Sequence, residues 1–347
     1  MHFSIFATFA KLMKFLILRF SSIGDIVLTT PVVRCIKKKF PEAEIHYATK
    51  KAFHAILKHN PYIHKVHLLD DSVANLIKEL REEKFDYVID LHHNQRTWLI
   101  KAMLGAKSFS FDKINFEKWL MVNFKINRLP DMHIVDRYMA TCKSLGVEND
   151  GEGLDYFIGK EDEVSLESLP GEFHQGYAGW VIGAKHKTKQ FPIDKIVNAL
   201  VKTDLPVILM GGKEDAENAQ AIINRLPGRI IFDACGKYSL NQSASLVKNA
   251  RIVVSNDTGL MHIAAAFKRP VISIWGNTIP GFGMAPYYGQ NYLLNHAKYK
   301  QFEVSGLTCR PCSKLGYDTC PKGHFKCMNL IDEMEVAKAV ESMGNPG

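Results

Sequence analysis

The sequence predicts an α/β protein built from two doubly wound parallel sheets, and three observations carry that prediction. Short apolar runs without polar alternation, such as Phe15 to Leu18 and Ile252-Val253-Val254, are the pattern of strands buried on both faces. These runs alternate with helical segments along the chain. The 347 residues exceed what one core usually supports, and a hydrophobic content of 46% with 23% charge supplies two packed cores and argues against disorder.

In the first half, Lys14 to Phe20 reads as the opening strand. The apolar start MHFSIFATFAKLMKFLILRF is therefore not read as a signal or anchor. Lys11 and Lys14 interrupt it, no small-residue cleavage site follows, and a span needs roughly 20 apolar residues. Met13 is an alternative start that leaves the first twelve residues as an upstream extension. Arg19 to Asp25 is the loop after this strand, and Ile26 to Phe40 a helix with Pro31 near its first turn and Pro41 beyond its end. Ile45 to Ala48 (strand), Ala52 to Lys58 (helix), Val66 to Leu69 (strand) and Val73 to Lys84 (amphipathic helix) follow. Tyr87 to Leu91 is the fourth strand, and His92-His93 in the loop after it reads as a polar cleft wall or a catalytic or metal-binding pair. Lys107 to Lys125, rich in Phe, Trp and Lys, fits a short strand and then an amphipathic helix suited to an interface or to packing on its own domain. His133 to Leu145 is a helix closed by Gly146.

Glu148 to Gly176 mixes acids, Gly, Ser and Pro around one candidate strand at Tyr156 to Ile158, and the domain boundary is placed here. The expected division is 13–170, 171–330 and a closing segment 331–347. Beyond the boundary, strands at Tyr177 to Ile182, Pro206 to Met210 and Ile230 to Phe232 alternate with helices at Ile193 to Thr203, Ala216 to Arg225 and Ser243 to Lys248.

Ala250 to Gly276 then reads strand, loop, helix, strand. Asp257, Thr258 and Gly259 sit where a loop leaves the carboxyl end of a strand and enters the helix Leu260 to Phe267, which is where open α/β sheets bind ligands. Free N–H groups and the positive end of the helix favour a phosphate there, although a simple helix cap explains the same residue types. His262, one turn on, suits either a packed core position or the loop. A net charge of +8 fits an acidic partner, whether nucleotide, nucleic acid or anionic membrane. No basic block with interleaved aromatics supports nucleic acid.

Cys309, Cys312, Cys320 and Cys327, with His324 between the last two, form a CxxC-led cluster. The spacing leaves structural zinc open against reduced cysteines or a disulfide.

LRFSSIGDIVLTTPVVRCIKKKFPEA and SNDTGLMHIAAAFKRPVISIWG, in that order, resemble glycosyltransferase family 9, the heptosyltransferases of lipopolysaccharide core assembly. The resemblance runs from Met13 over nearly the whole chain. It implies a GT-B fold, two Rossmann-like domains facing across a cleft, with a final helix (Asp332 to Met343) folding back on the N-terminal domain. It implies ADP-heptose held mainly by the C-terminal domain, at Thr188, Lys189, Gly211, Glu214, Asp257, Thr258, Gly259, Leu260 and His262. Lys189 in TKQFP is the expected cation on the leaving diphosphate, and Asp25 in SSIGD the expected general base, so that inverting transfer requires no cofactor. The implied acceptor is a lipopolysaccharide core or another lipid-linked sugar. The implied place is the cytoplasm, peripheral on the inner face of the inner membrane.

Two other enzyme classes and one non-enzyme remain at this point. Another nucleotide-sugar enzyme, transferase or epimerase, fits the fold, and so does a catalytically idle nucleotide-sugar-binding protein. A nicotinamide-dependent dehydrogenase is disfavoured, since neither leading loop carries G-x-G-x-x-G.

Overall fold

The computed structural model describes residues 12–290 and 299–344, so the upstream extension read before Met13 lies outside the described residues except for Leu12. Strands β1 (Lys14–Leu18), β2 (Glu44–Lys50), β3 (Lys65–Leu69), β4 (Tyr87–Asp90) and β5 (Lys107–Ser110) form a parallel sheet in the order β3-β2-β1-β4-β5. In the second half, β6 (Ala178–Val181), β7 (Val207–Met210), β8 (Ile231–Asp233), β9 (Ile252–Asn256), β10 (Val271–Trp275) and β11 (Tyr299–Glu303) form another, in the order β11-β10-β9-β6-β7-β8. Each sheet reverses its winding beside its first strand, between β1 and β4 and between β6 and β9. The crevice at such a reversal, outside the carboxyl ends, is where this architecture takes ligands.

The helices of the first half are α1 (Ile23–Val27), α2 (Thr30–Lys39), α3 (His54–Leu57), α4 (Val73–Glu83), α5 (Gln95–Leu104), α6 (Asn115–Phe124) and α7 (Ile134–Ala140). Those of the second are α8 (Ile193–Leu200), α9 (Ala216–Asn224), α10 (Leu240–Asn249), α11 (Gly259–Ala266), a short turn at Lys326–Asn329 and the closing helix Glu333–Gly344. Among the described residues, no helix is long and apolar enough to cross a membrane.

Several elements differ from expectation for local reasons. The helix expected over Ile26 to Phe40 is broken into α1 and α2, because Pro31 has no N–H for the ladder. Thr29 and Thr30 hydroxyls donate instead to the carbonyls of Ile26 (2.6 Å) and Val27 (2.8 Å). Tyr156 to Ile158 joins no ladder, and Tyr156 is held by its hydroxyl, which donates to Asn241 Oδ1 at 2.7 Å. Helix α5 and strand β11 were not anticipated, although Asn94 and Thr97 form the capping box that starts α5.

The closing helix does not fold back on the first half. Its stripe Val336, Ala337, Ala339 and Val340 is buried with Ile196 and Leu200 of α8 and with Ile252 and Ile272 of the second sheet, and Lys195 pairs with Glu333 at 2.5 Å. The apolar face is thus satisfied locally, which leaves no stripe to span the cleft.

The halves are joined by a shared core in which Val27, Val33 and Tyr138 pack in one cluster with Val253, Met261 and Trp275. A buried ion pair reinforces it. Arg34 on α2 donates twice to Asp150, at 2.8 Å each, and also reaches Asp155 and the Gly153 carbonyl in the connecting segment. Helices α1 and α11 also approach closely. A Cβ at Gly24 would lie 2.5 Å from His262 Cδ2, and one at Gly259 would lie 2.5 Å from Ile23 Cγ2.

Two outcomes follow for stability. Gly259→Ala is expected to cost about 1–3 kcal/mol by overpacking, read as a lower thermal midpoint, whereas Gly171→Ala, which meets nothing within 4 Å, stays within about 0.5 kcal/mol. Burial pushes the His46 imidazole on β2 down to about 4 and that of His133 to about 3. The unfolded chain, titrating near 6.5, therefore takes up protons that the fold refuses. Stability is expected to fall as pH drops from about 6.5 towards 4, by on the order of 3 kcal/mol per histidine. Denaturant midpoints across that range test this; a flat profile would contradict it.

Candidate active site

The turn after β1 carries Asp25 into the first turn of α1, not into a loop as expected. Its Oδ2 accepts from the Ser22 hydroxyl at 2.6 Å and the Ser22 N–H at 3.1 Å, closing a capping box. Its Oδ1 faces Arg19 Nη2 at 2.7 Å. Arg19 is fixed in turn, donating to the carbonyls of Leu91 at 2.5 Å and Ser21 at 2.8 Å. Burial alone would raise the Asp25 carboxyl; the Arg19 charge and the Ser22 bonds outweigh it and hold the group below the usual carboxylate range. Asp25 is thus ionised at neutral pH, with 21% of its side chain exposed. The capping role and an accessible carboxylate coexist in one residue.

Across the Gly24–Gly259 contact lies the turn after β9. Asn256 is buried and anchors it to the neighbouring loop, accepting from Phe191 N–H at 3.1 Å and donating to the Val181 carbonyl at 3.3 Å. That anchoring brings Lys189 Nζ within 2.6 Å of Asp257 Oδ2, which also accepts from the Thr278 hydroxyl at 2.9 Å. Thr258 caps α11 without a side-chain bond to it, its hydroxyl lying 3.1 Å from Ser255 Oγ. The first amides of α11, from Gly259 and Leu260, therefore have no side-chain cap, and a cation stands beside them. This pairing suits an anion.

His262 lies beneath both turns, and burial pushes it down to about 4 despite the attraction of Asp257 and Asp25. It is neutral at pH 7, and its Nδ1 is buried without a hydrogen-bond partner. On the first sheet, the turn after β4 brings His92 close to Arg19; burial first, then the Arg19 and Lys113 charges, push it down to about 4. His93 is occupied structurally, its Nδ1 lying 2.8 Å from the Phe111 carbonyl.

Lys113 and Lys118 are cations that the sequence reading did not single out. Burial lowers both, Lys118 to about 8, and neighbouring cations add to it, Arg19 and Lys314 at Lys113 and Arg137, Lys314 and Lys113 at Lys118. Their signal in the sequence was the Lys content of the Lys107 to Lys125 stretch, read only as a short strand and an amphipathic helix. Arg19 was likewise missed; it stands two residues before the serines of SSIGD.

Other expected residues divide. Gly211 ends β7 against buried Asp215, and Glu214 is exposed at the same carboxyl edge, with no bond to the Lys189 group. Thr188, expected among the donor contacts, is buried and committed: its hydroxyl donates to Asn277 Oδ1 and the Tyr317 carbonyl and accepts from Tyr317 N–H. It holds the cysteine-rich segment against the β6 turn.

The four cysteines are neighbours in space: burial first, then the charges of Cys312, Cys320 and Cys309, push the Cys327 thiol up to about 11. Among the described residues, the groups whose ligand atoms converge within 4.8 Å are Glu44-His46-His64, His46-His67-Glu83 and His59-Glu161-Asp162, and none contains cysteine. In the first two the acids pair with Lys14 and Lys65. Cys309 Sγ instead sits 3.8 Å from His324 Nε2, and Cys312 Sγ donates to the Cys309 carbonyl.

The fold is shared with known proteins. The family model for glycosyltransferase family 9 (heptosyltransferase) matches residues 73–309. Lipopolysaccharide heptosyltransferase 1 of Campylobacter coli is 28% identical, over 95% of this chain and 99% of that one. Two solved structures share the fold: the glycosyl transferase family 9 protein of Veillonella parvula, with a TM-score of 0.76 at 23% identity, covering 96% of this chain and 97% of that one, and the E. coli heptosyltransferase WaaC with ADP, with a TM-score of 0.66 at 22% identity, covering 95% and 99%. Two α/β sheets of the GT-B type, a helix start without a side-chain cap beside a lysine, and a family match over most of the chain lead to one assignment: the chain belongs to glycosyltransferase family 9, the heptosyltransferases.

Proposed function

We propose that this enzyme is an inverting, metal-independent glycosyltransferase that moves a heptose from ADP-heptose to a lipopolysaccharide core acceptor. One observation carries the reading: the turn that holds an ionised carboxylate on the first sheet meets, through the close Gly24–Gly259 approach, the uncapped helix start of the second, whose turn holds a lysine. The names of the Campylobacter relative and of the E. coli structure with ADP support the donor and acceptor class. Residues 13–170 then form the acceptor side and 171–330 the donor side.

In this mechanism the diphosphate rests on the amides of Gly259 and Leu260, with Thr258 at its edge. Lys189 turns from Asp257 to the phosphate as charge builds on the leaving oxygen. The acceptor hydroxyl attacks the anomeric carbon from the opposite face, the bond from that carbon to the phosphate oxygen breaks, and the hydroxyl proton passes to Asp25. ADP leaves with the electron pair. Because Arg19 holds Asp25 ionised, the base is ready at neutral pH, although such a carboxylate is a weak base. It therefore acts late, once the attacking oxygen has become acidic. Neutral His262 supports both turns without adding charge. Glu214, at the same edge, is placed to accept from ribose hydroxyls.

Titration calorimetry with ADP, GDP, UDP and dTDP tests the donor. ADP is expected to bind selectively, and Lys189→Ala to weaken it at least tenfold while lowering transfer by about 10²–10³. Preference for another nucleotide overturns the ADP-heptose assignment, and unaltered ADP affinity in Lys189→Ala overturns the phosphate site. Chelation with EDTA is expected to leave both turnover and the thermal midpoint unchanged. Near one zinc per chain, with a midpoint that falls on chelation, would instead establish structural zinc on Cys309, Cys312, Cys320 and Cys327.

A further inference from the structure

Helix α6 is ten residues long and buries none of them. Its aromatic side chains are turned outward instead of into a core: Phe116 is 61% exposed, Trp119 51% and Phe124 58%. They pack on one another, with ring centroids 6.1 Å apart for Phe116 and Trp119 and 5.1 Å for Trp119 and Phe124. Ile126, just beyond the helix, is also exposed. A self-stacked aromatic stripe that no element among the described residues covers exposes apolar surface at a cost unless something else covers it.

Charge identifies the cover. Residues 113–128 carry four cations against one carboxylate, Glu117; Lys125 and Arg128 are exposed, whereas Lys113 and Lys118 are half-buried towards the cleft. Exposed aromatic side chains flanked by basic ones are the makeup of a helix lying in a bilayer interface, where basic residues are drawn to an anionic surface. The position agrees. The segment leaves the carboxyl end of β5, the sheet edge that also carries the Asp25 turn, and Lys125 Nζ donates to the Pro311 carbonyl at 2.7 Å, tying the end of the helix to the second half. Trp98, 67% exposed in the first turn of α5, stands at the same edge beside Arg96.

We propose that α6 is the membrane-docking element of this enzyme, laying Phe116, Trp119 and Phe124 into an anionic lipid surface so that the acceptor side of the cleft opens at the bilayer. The proposal goes beyond the transfer reaction, and vesicle binding needs neither donor nor acceptor, so its failure would be distinct from failure of the ADP-heptose reading.

The test is flotation of the full-length protein with vesicles of phosphatidylglycerol and phosphatidylethanolamine, against vesicles of phosphatidylcholine alone. The protein is expected to float with the anionic vesicles and to be released by high salt. The triple substitution F116S/W119S/F124S should lower the bound fraction at least tenfold while preserving ADP affinity and turnover on a soluble acceptor fragment. R128E should lower binding several-fold. A second readout avoids substitution altogether. Trp180 and Trp275 are buried, so quenching of wild-type fluorescence by brominated lipid reports Trp98 and Trp119. Equal flotation of the triple variant, equal binding to phosphatidylcholine, or no quenching would each overturn the proposal. So would a wild-type dimer that the triple variant abolishes without any change in flotation, since a second copy would then be the cover.

Discussion

The approach of α1 to α11 governs the rest of the molecule. At Gly24 and Gly259 the chain lacks a Cβ where a methyl group would fall 2.5 Å from His262 Cδ2 and from Ile23 Cγ2. Each glycine sits in the first turn of a short helix, at the carboxyl edge of its sheet, next to the point where strand order reverses. The two edges that bind ligands in separate α/β sheets are therefore pressed into one site. A larger residue at either position would hold the carboxylate of one sheet away from the helix start of the other.

Electrostatics divides the site along the same line. Arg19 with Asp25 and Lys189 with Asp257 are two ion pairs, one from each sheet, at 2.7 and 2.6 Å. Neutral His262 lies between them. Each pair keeps a reactive charge in place until a ligand competes for it, and neither requires a bare charge in a desolvated crevice. On the first sheet Lys113 and Lys118 add positive potential that burial has already weakened. On the second, the amides of α11 add partial positive charge fixed by the backbone. The two sides thus suit different ligands: a diphosphate beside the rigid amides and an anionic acceptor beside adaptable lysines.

Much of this was legible in the sequence, and the exceptions have physical causes. Parallel strands announce themselves as unbroken apolar runs, so β1, β4, β6, β7, β9 and β10 were found close to their ends. Strand β11, Tyr-Lys-Gln-Phe-Glu, was missed because an edge strand with one face in solvent carries no such run. Asp257, Thr258 and Gly259 stood out because turn formers follow a buried strand, and Lys189 became a candidate only through the family pattern. Arg19 could not be weighed from the sequence, since its role depends on the Leu91 carbonyl 72 residues away. Thr188 misled for a similar reason: its partner Tyr317 lies 129 residues on. The closing helix was assigned to the wrong half because its apolar stripe states only that it packs, not against what. The cysteine spacing, likewise, named a candidate ligand set, and spacing alone carries no distances.

The central claim is a division of labour, with the first sheet supplying the base and the second holding the donor. Asp25→Asn separates the two most directly, since it keeps the size of the side chain and removes its charge. ADP affinity by calorimetry is expected to stay within about twofold of wild type while transfer falls by about 10²–10⁴. Loss of ADP affinity in step with turnover, or turnover near the wild-type rate, would contradict the account.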